Sequence, residues 1–206
     1  MIGIVDYGLG NLRSIQNMLR RGGVGSIISS DPAELKQADR LILPGVGHFG
    51  YGMDKLRERG LITLLEERAL EAKVPVLGIC LGVQLLGRGS EEAGVAGLGW
   101  LAMDTVAFDQ SRMSASERVP HMGWADVTHS DHPLFEGQVD PRFYHVHSFH
   151  MRCDDHSTVI ATAEYGYRFA TGVAHDNVMG VQFHPEKSHT FGLRLLKAFA
   201  AMSCPR

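Results

Sequence analysis

The sequence offers one clear nucleophile. Gly78-Ile79-Cys80-Leu81-Gly82 sets a thiol between two glycines, at the end of an apolar run and the start of a helical one. A sharp strand-to-helix turn of this kind lifts a nucleophile out of a sheet, and glycines on both sides avoid clashes around it. The N–H of Leu81 would then face an oxyanion formed on a substrate carbonyl. Alternatively, Cys80 is a small buried core residue, as free cysteine often is. A reactive thiol needs a base, and Val181-Gln182-Phe183-His184-Pro185-Glu186 offers one. In an extended segment His184 and Glu186 project to the same side. Glu186 can then accept a hydrogen bond from one ring nitrogen and leave the other facing the thiol. Pro44-Gly45-Val46-Gly47 is a third site of interest, a flexible backbone that can supply a second oxyanion donor. Taken singly, each has a bland reading: a structural histidine, a plain turn.

The elements that must position these groups can be read from hydrophobic spacing. Ile2 to Asp6 reads as a buried strand. Leu12, Ile15, Met18 and Leu19 form a helical stripe that Gly22-Gly23 stops. Strands are expected over 25–29, 40–43 and 74–80, the last two ending at Pro44–Gly47 and Cys80. A helical stretch carries Met53, Leu56, Leu61, Leu64, Leu65 and Leu70 as its buried positions, interrupted at Gly60. Strand–helix alternation with fully apolar strands predicts parallel βαβ units. Such sheets place their sites at the C-terminal strand ends. The second half differs: strands are expected over 100–108, 123–128, 143–151, 157–165, 168–175 and 178–184, with little helix between them. A final helix carries Phe191, Leu195, Leu196 and Phe199. The spacing thus predicts an α/β fold, with parallel βαβ units first and an antiparallel or mixed, strand-rich second half.

Composition excludes several classes. The chain has 206 residues, 44% hydrophobic and 21% charged, and a net charge of −3. That is a globular profile with no nucleic-acid footprint. No apolar run approaches the roughly 18 residues of a membrane span, and the N-terminus lacks the pattern of a signal peptide. Three cysteines, Cys80, Cys153 and Cys204, have no paired spacing. A reduced, cytoplasmic setting is therefore expected, with Cys153 and Cys204 as bystanders.

At greater length, Gly78-Ile79-Cys80-Leu81-Gly82-Val83-Gln84-Leu85-Leu86, Gln182-Phe183-His184-Pro185-Glu186-Lys187-Ser188 and Pro44–Gly47 resemble the three signatures of class I (triad) glutamine amidotransferases. Asp6-Tyr7-Gly8-Leu9-Gly10-Asn11, Pro120-His121-Met122-Gly123-Trp124 and Tyr144–Phe149 resemble, within it, the glutaminase-subunit family of imidazole glycerol phosphate synthases. The resemblance spans essentially the whole chain and implies a flavodoxin-like α/β fold, a single domain over 1–206 with a mixed, largely parallel sheet flanked by helices and an antiparallel, strand-rich second half. It implies hydrolysis of glutamine to glutamate and ammonia, with Cys80 as nucleophile, His184 as general base then acid, and Glu186 as its orienter. It implies oxyanion donors at Gly47 and Leu81, after rearrangement of the Pro44–Gly47 loop. Gln84, Glu92, His147, Ser148 and Phe149 would hold glutamine. Asn11, Met122, Trp124, Tyr144 and Lys187 would lie toward a (β/α)8-barrel cyclase subunit, HisF, which takes the ammonia in histidine biosynthesis. No cofactor and no metal are implied. A glutaminase that fills the chain leaves no room for an acceptor domain, so a heterodimer is expected, with little activity in the isolated chain. One residue departs from the pattern: Ala125 stands where asparagine is expected.

Three rival readings compete. His145, His147, His150 and Cys153 form His-x-His-x-x-His-x-x-Cys, a candidate zinc set in a metal-binding regulatory protein. A peptidase or γ-glutamyl hydrolase would share the Gly-x-Cys-x-Gly turn. A paralogous amidotransferase subunit of surface-polysaccharide synthesis would share the whole triad, and Ala125 favours it slightly.

Overall fold

The structure, a computed structural model, describes residues 1–202; Cys204 lies outside them. The first half is a βα alternation. Strands β1 (Ile2–Val5), β2 (Ser26–Ser29), β3 (Arg40–Gly45) and β4 (Val76–Cys80) are parallel, in the order β2-β1-β3-β4. Helices α1 (Leu12–Arg21), α2 (Pro32–Lys36), α3 (Phe49–Glu58) and α4 (Leu61–Glu66) connect them, and the short α5 (Leu81–Leu85) follows β4. Alternate strand residues feed two cores. Ile2, Ile4, Ile42, Leu77 and Ile79 pack on one face with Ile15 and Leu19 of α1. Val5, Leu41, Leu43 and Val76 pack on the other with Met53, Leu56 and Leu65. This two-residue alternation is how a strand covered on both faces serves both.

Helix α2 went unpredicted, though its signal is present: Asp31 accepts from the Ala33 N–H at 2.8 Å and Pro32 occupies the first turn, a regular N-terminal arrangement. Gly60, at φ 62°, separates α3 from α4 as expected. Leu70 was expected inside and is 43% exposed. It lies in a π-helical turn, Glu67–Glu71, whose wider winding shifts the helical phase on which that expectation rested.

The second half is mostly strand. β5 (Gly89–Ser90), β6 (Ala93–Ala96), β7 (Met103–Ala107), β8 (His121–His129), β9 (Arg142–His147), β10 (Phe149–Cys153), β11 (Val159–Tyr165), β12 (Tyr167–His175) and β13 (Val178–Val181) precede the closing helix α6 (His189–Ala201). The sheet continues β4-β13-β12-β10-β7-β5-β6, while β11 pairs with β12 and β8, and β8 with β9. β13 lies parallel to β4, with Val181 opposite Ile79. β12 is antiparallel to β13. The expected strand over 143–151 is two strands broken at Ser148, and that over 178–184 stops at Val181. The short β5 and β6 were not foreseen. Among the described residues no helix is long and apolar enough to cross a membrane.

Candidate active site

Cys80 ends β4 and opens α5 at φ 55°, ψ −113°, a region that costs a non-glycine residue strain. The flanking glycines explain why the turn closes. A Cβ on Gly82 would lie 1.8 Å from the Leu43 carbonyl oxygen, and one on Gly78 would lie 2.6 Å from the Val83 Cα. No other residue fits either place. β3 meets this turn directly, Gly45 lying in register with Cys80. The thiol faces the Val146 carbonyl at 3.9 Å and lies 3.7 Å from the Gln182 amide nitrogen.

His184 arrives from the end of β13. Its Nδ1 lies 2.8 Å from Glu186 Oε1, both side chains being almost fully buried. The pair does not form along an extended strand, as the sequence spacing predicted. Pro185–Lys187 is a 3-10 turn, and the turn folds Glu186 back onto the ring. Burial alone would lower the His184 pKa; the Cys80 sulfur and the Glu186 carboxylate outweigh it and raise it to about 10. Burial likewise works against the Glu186 charge, but His184 and Asn11 keep its carboxyl below the usual range. Asn11 was expected at a partner surface. Its amide donates to the same Glu186 Oε1 at 2.8 Å.

A cleft of about 680 Å³ opens over Cys80. It brings together the sequence-selected Gly47, Leu81, Gln84, Glu92, His147, Ser148, Phe149 and His184, along with Asn11 and Lys187. Gly47 sits at φ +102° on the rim. Glu92 is fixed by the Phe49 N–H at 2.7 Å, at the start of α3. Gln84 donates to Gln182 Oε1 at 3.0 Å, so Gln182 links Gln84 to the sulfur. Sequence reading gave Gln182 no role. The available signal is its place two residues before His184, just past the end of β13.

The remaining expected interface residues share one outer face. Met122 and Trp124 are 62% and 40% exposed. Trp124 stacks on His189 at 5.5 Å and meets Tyr144 edge-on at 6.1 Å, with Lys187 Nζ 5.7 Å from the Tyr144 ring. Ala125 alternates away from Trp124 and packs against the core.

The second-half histidines form a different environment. His145 contacts the Phe143 carbonyl and Thr171 through its two ring nitrogens, at 3.1 and 2.9 Å. His147 contacts the Phe149 carbonyl at 2.7 Å and His121 at 3.3 Å. Among the described residues no three histidine, cysteine, aspartate or glutamate side chains are grouped to hold a metal ion. Burial raises the Cys153 pKa.

Comparison with known proteins agrees with this geometry. The family described as glutamine amidotransferase class-I matches residues 3–202. An imidazole glycerol phosphate synthase subunit HisH from Sulfurimonas denitrificans is 51% identical, over 97% of each chain. The chain belongs to the class I glutamine amidotransferases, within the HisH family. The HisH 2 subunit of Pseudomonas aeruginosa is 45% identical, over 98% of this chain and all of that one. More distant structures share the fold. One described as a glutamine amidotransferase gives a TM-score of 0.75 at 22% identity, with 96% of each chain covered. PurLQS from Thermotoga maritima gives 0.69 at 22% identity, again over 96% of each. This HisH-family amidotransferase therefore carries Cys80 and His184 in one cleft, with Glu186 buried against the His184 ring, at the C-terminal ends of β3, β4 and β13, where an open α/β sheet puts its chemistry.

Proposed function

We propose that this enzyme is the glutaminase subunit of an imidazole glycerol phosphate synthase and that Cys80, His184 and Glu186 carry the hydrolysis. One observation bears most of the weight. A cysteine strained at positive φ shares a cleft with a buried histidine that is ion-paired to a carboxylate at 2.8 Å. Structural cysteines need none of this.

The thiolate attacks the side-chain amide carbon of glutamine. The developing oxyanion is held by the Leu81 N–H and a donor from the Gly47 region. His184 protonates the departing ammonia, leaving a thioester on Cys80. It then takes a proton from water, which attacks the thioester and frees glutamate. Glu186 keeps the ring oriented and favours its charged form. Gln84, Glu92, His147, Ser148 and Phe149 hold the glutamine. Lys187, Tyr144, Trp124, Met122 and Asn11 lie toward the partner, a (β/α)8-barrel cyclase subunit of the HisF kind that consumes the ammonia. The relatives' description as subunits supports a partner. The whole chain serves as one amidotransferase domain.

Glutamine turnover by Cys80→Ala is the test, measured with the cyclase subunit present. Loss of at least about a thousandfold is expected. Turnover within a few-fold of wild type would remove Cys80 from the reaction. Adding the cyclase subunit to the wild-type chain should raise turnover strongly; no rise would leave the glutaminase and reject this partner.

A further inference from the structure

Tyr7 follows β1 and is completely buried, 0% exposed, in the same core cluster as Val5, Leu43, Phe49 and Leu81. Among the described residues its phenolic oxygen has no hydrogen-bond partner. Buried hydroxyls are nearly always paired, since the bond given up to water is otherwise not recovered. Phenylalanine would fill the same space without that loss, so the oxygen calls for an explanation.

Its surroundings supply one. A Cβ built on Gly45 would lie 2.4 Å from the Tyr7 oxygen, 2.9 Å from the Leu81 Cβ and 3.1 Å from the Gly82 nitrogen. The hydroxyl is therefore wedged behind the last residue of β3, in the space that glycine leaves free, against the first turn of α5. Gly45 is the last β3 residue held in register with β4. Val46 and Gly47 then leave the sheet and line the cleft, whereas Tyr7 does not. Gly47 lies at φ +102°, and a Cβ built on it would meet nothing within 4 Å; glycine is the residue that best tolerates a change of backbone direction there. Burial, and then the nearby Cys80, push the Tyr7 pKa far up, which keeps the phenol protonated and able to donate.

We propose that Tyr7 is a positioning residue whose hydroxyl donates to the Val46 carbonyl when the Val46–Gly47 peptide turns its N–H into the cleft. The N–H and C=O of a trans peptide point in opposite directions. Turning the N–H toward the substrate therefore sends the carbonyl to the buried side, where a free donor waits. The hydroxyl is unpaired in the resting arrangement and paired in the working one, so it favours the loop that binds an oxyanion. This proposal rests on the oxyanion role given above to the Gly47 region.

The test compares wild type, Tyr7→Phe and Cys80→Ala as full chains with the cyclase subunit. For Tyr7→Phe, kcat for glutamine should fall about tenfold, less than for loss of an oxyanion donor itself, while KM stays within twofold. Alkylation of Cys80 by iodoacetamide builds no oxyanion and should keep its wild-type rate. The melting temperature should hold or rise, because an unpaired polar atom has been removed. A wild-type kcat overturns the proposal, as does a parallel loss of turnover and alkylation. A Tyr7→Phe chain that fails to fold also overturns it, since the oxygen would then have a partner in the resting protein. An inactive Cys80→Ala beside an unimpaired Tyr7→Phe leaves the site reading standing and removes Tyr7 alone. A Cys80→Ala that still turns over removes both.

Discussion

His184 and His145 are the same side chain at nearly the same depth, 2% and 0% exposed, yet they are tuned in opposite directions. Burial, then the neighbouring His121, push the His145 pKa down to about 3, and its ring contacts are a backbone carbonyl and a hydroxyl. His184 also suffers burial, but Cys80 and Glu186 raise it to about 10. Burial by itself makes a histidine neutral and structural; a fixed negative partner makes it chemical. The antiparallel half builds the first environment, stacking His121 on Tyr165 at 4.0 Å and on His145 at 4.8 Å. The strand ends around β4 and β13 build the second.

The sharpest way to break this contrast is Glu186→Gln. Glutamine keeps the shape and one oxygen but gives up the charge, so His184 is left closer to the condition of His145. Its pKa should fall, and kcat should drop about 10²- to 10³-fold, as loss of a histidine's carboxylate partner does in other triads. NMR titration of the His184 ring, beside kcat against pH, reads both effects. A kcat within twofold of wild type would show that the carboxylate charge does not drive the chemistry.

A smaller effect is expected in the neutral cage. The His121 and His145 pKa values lie at about 4 and about 3, lowered chiefly by burial. At pH 7 the folded rings are neutral and the unfolded ones mostly so. Below the ordinary value of 6.5 the unfolded rings take up protons that the folded ones refuse. Stability is therefore lost as pH falls from 6.5 toward 4, by about 2 kcal/mol per histidine at pH 5. His184 has the opposite sign: its contribution is present below 6.5 and lost as pH rises through about 10. Urea unfolding between pH 7 and 5 measures the acid limb. His121→Phe, which keeps the stacking on Tyr165, should make that limb shallower. A wild-type curve flat over this range would mean that the cage is not held neutral.

The sequence was legible where local rules decide. Glycines around Cys80, apolar runs at β1, β3 and β4, and Gly60 as a helix break all follow from steric demands within a few residues. The grouping of Cys80, His184 and Glu186 was visible because each lies in a contiguous motif. What stayed hidden depends on register or phase. The 3-10 turn at Pro185 replaced the extended spacing assumed for His184 and Glu186, although both geometries bring the two side chains together. Leu70 turned outward because a π turn shifted the helical phase. Gln182 acquired its contact with Cys80 only through the parallel pairing of β13 with β4, which no local pattern encodes. The contact between Asn11 and Glu186 joins residues 175 positions apart.

That last contact gives the smallest and most discriminating prediction. Glu186 Oε1 receives both His184 and Asn11, while Oε2 is buried with no partner among the described residues. In Asn11→Ala the carboxylate is held by His184 alone. The ring then loses part of its orientation, though the charge that raises its pKa remains. A loss of about fivefold in kcat is expected, about 1 kcal/mol and so the net worth of an ordinary hydrogen bond. A residue that acts only through the partner surface would affect the complex and spare the isolated chain. A residue that positions Glu186 should slow both by the same factor, because the contact lies wholly within this chain. Basal turnover of isolated Asn11→Ala, set beside its turnover with the cyclase subunit, separates the two. Equal losses assign Asn11 to the triad, and a loss confined to the complex returns it to the interface.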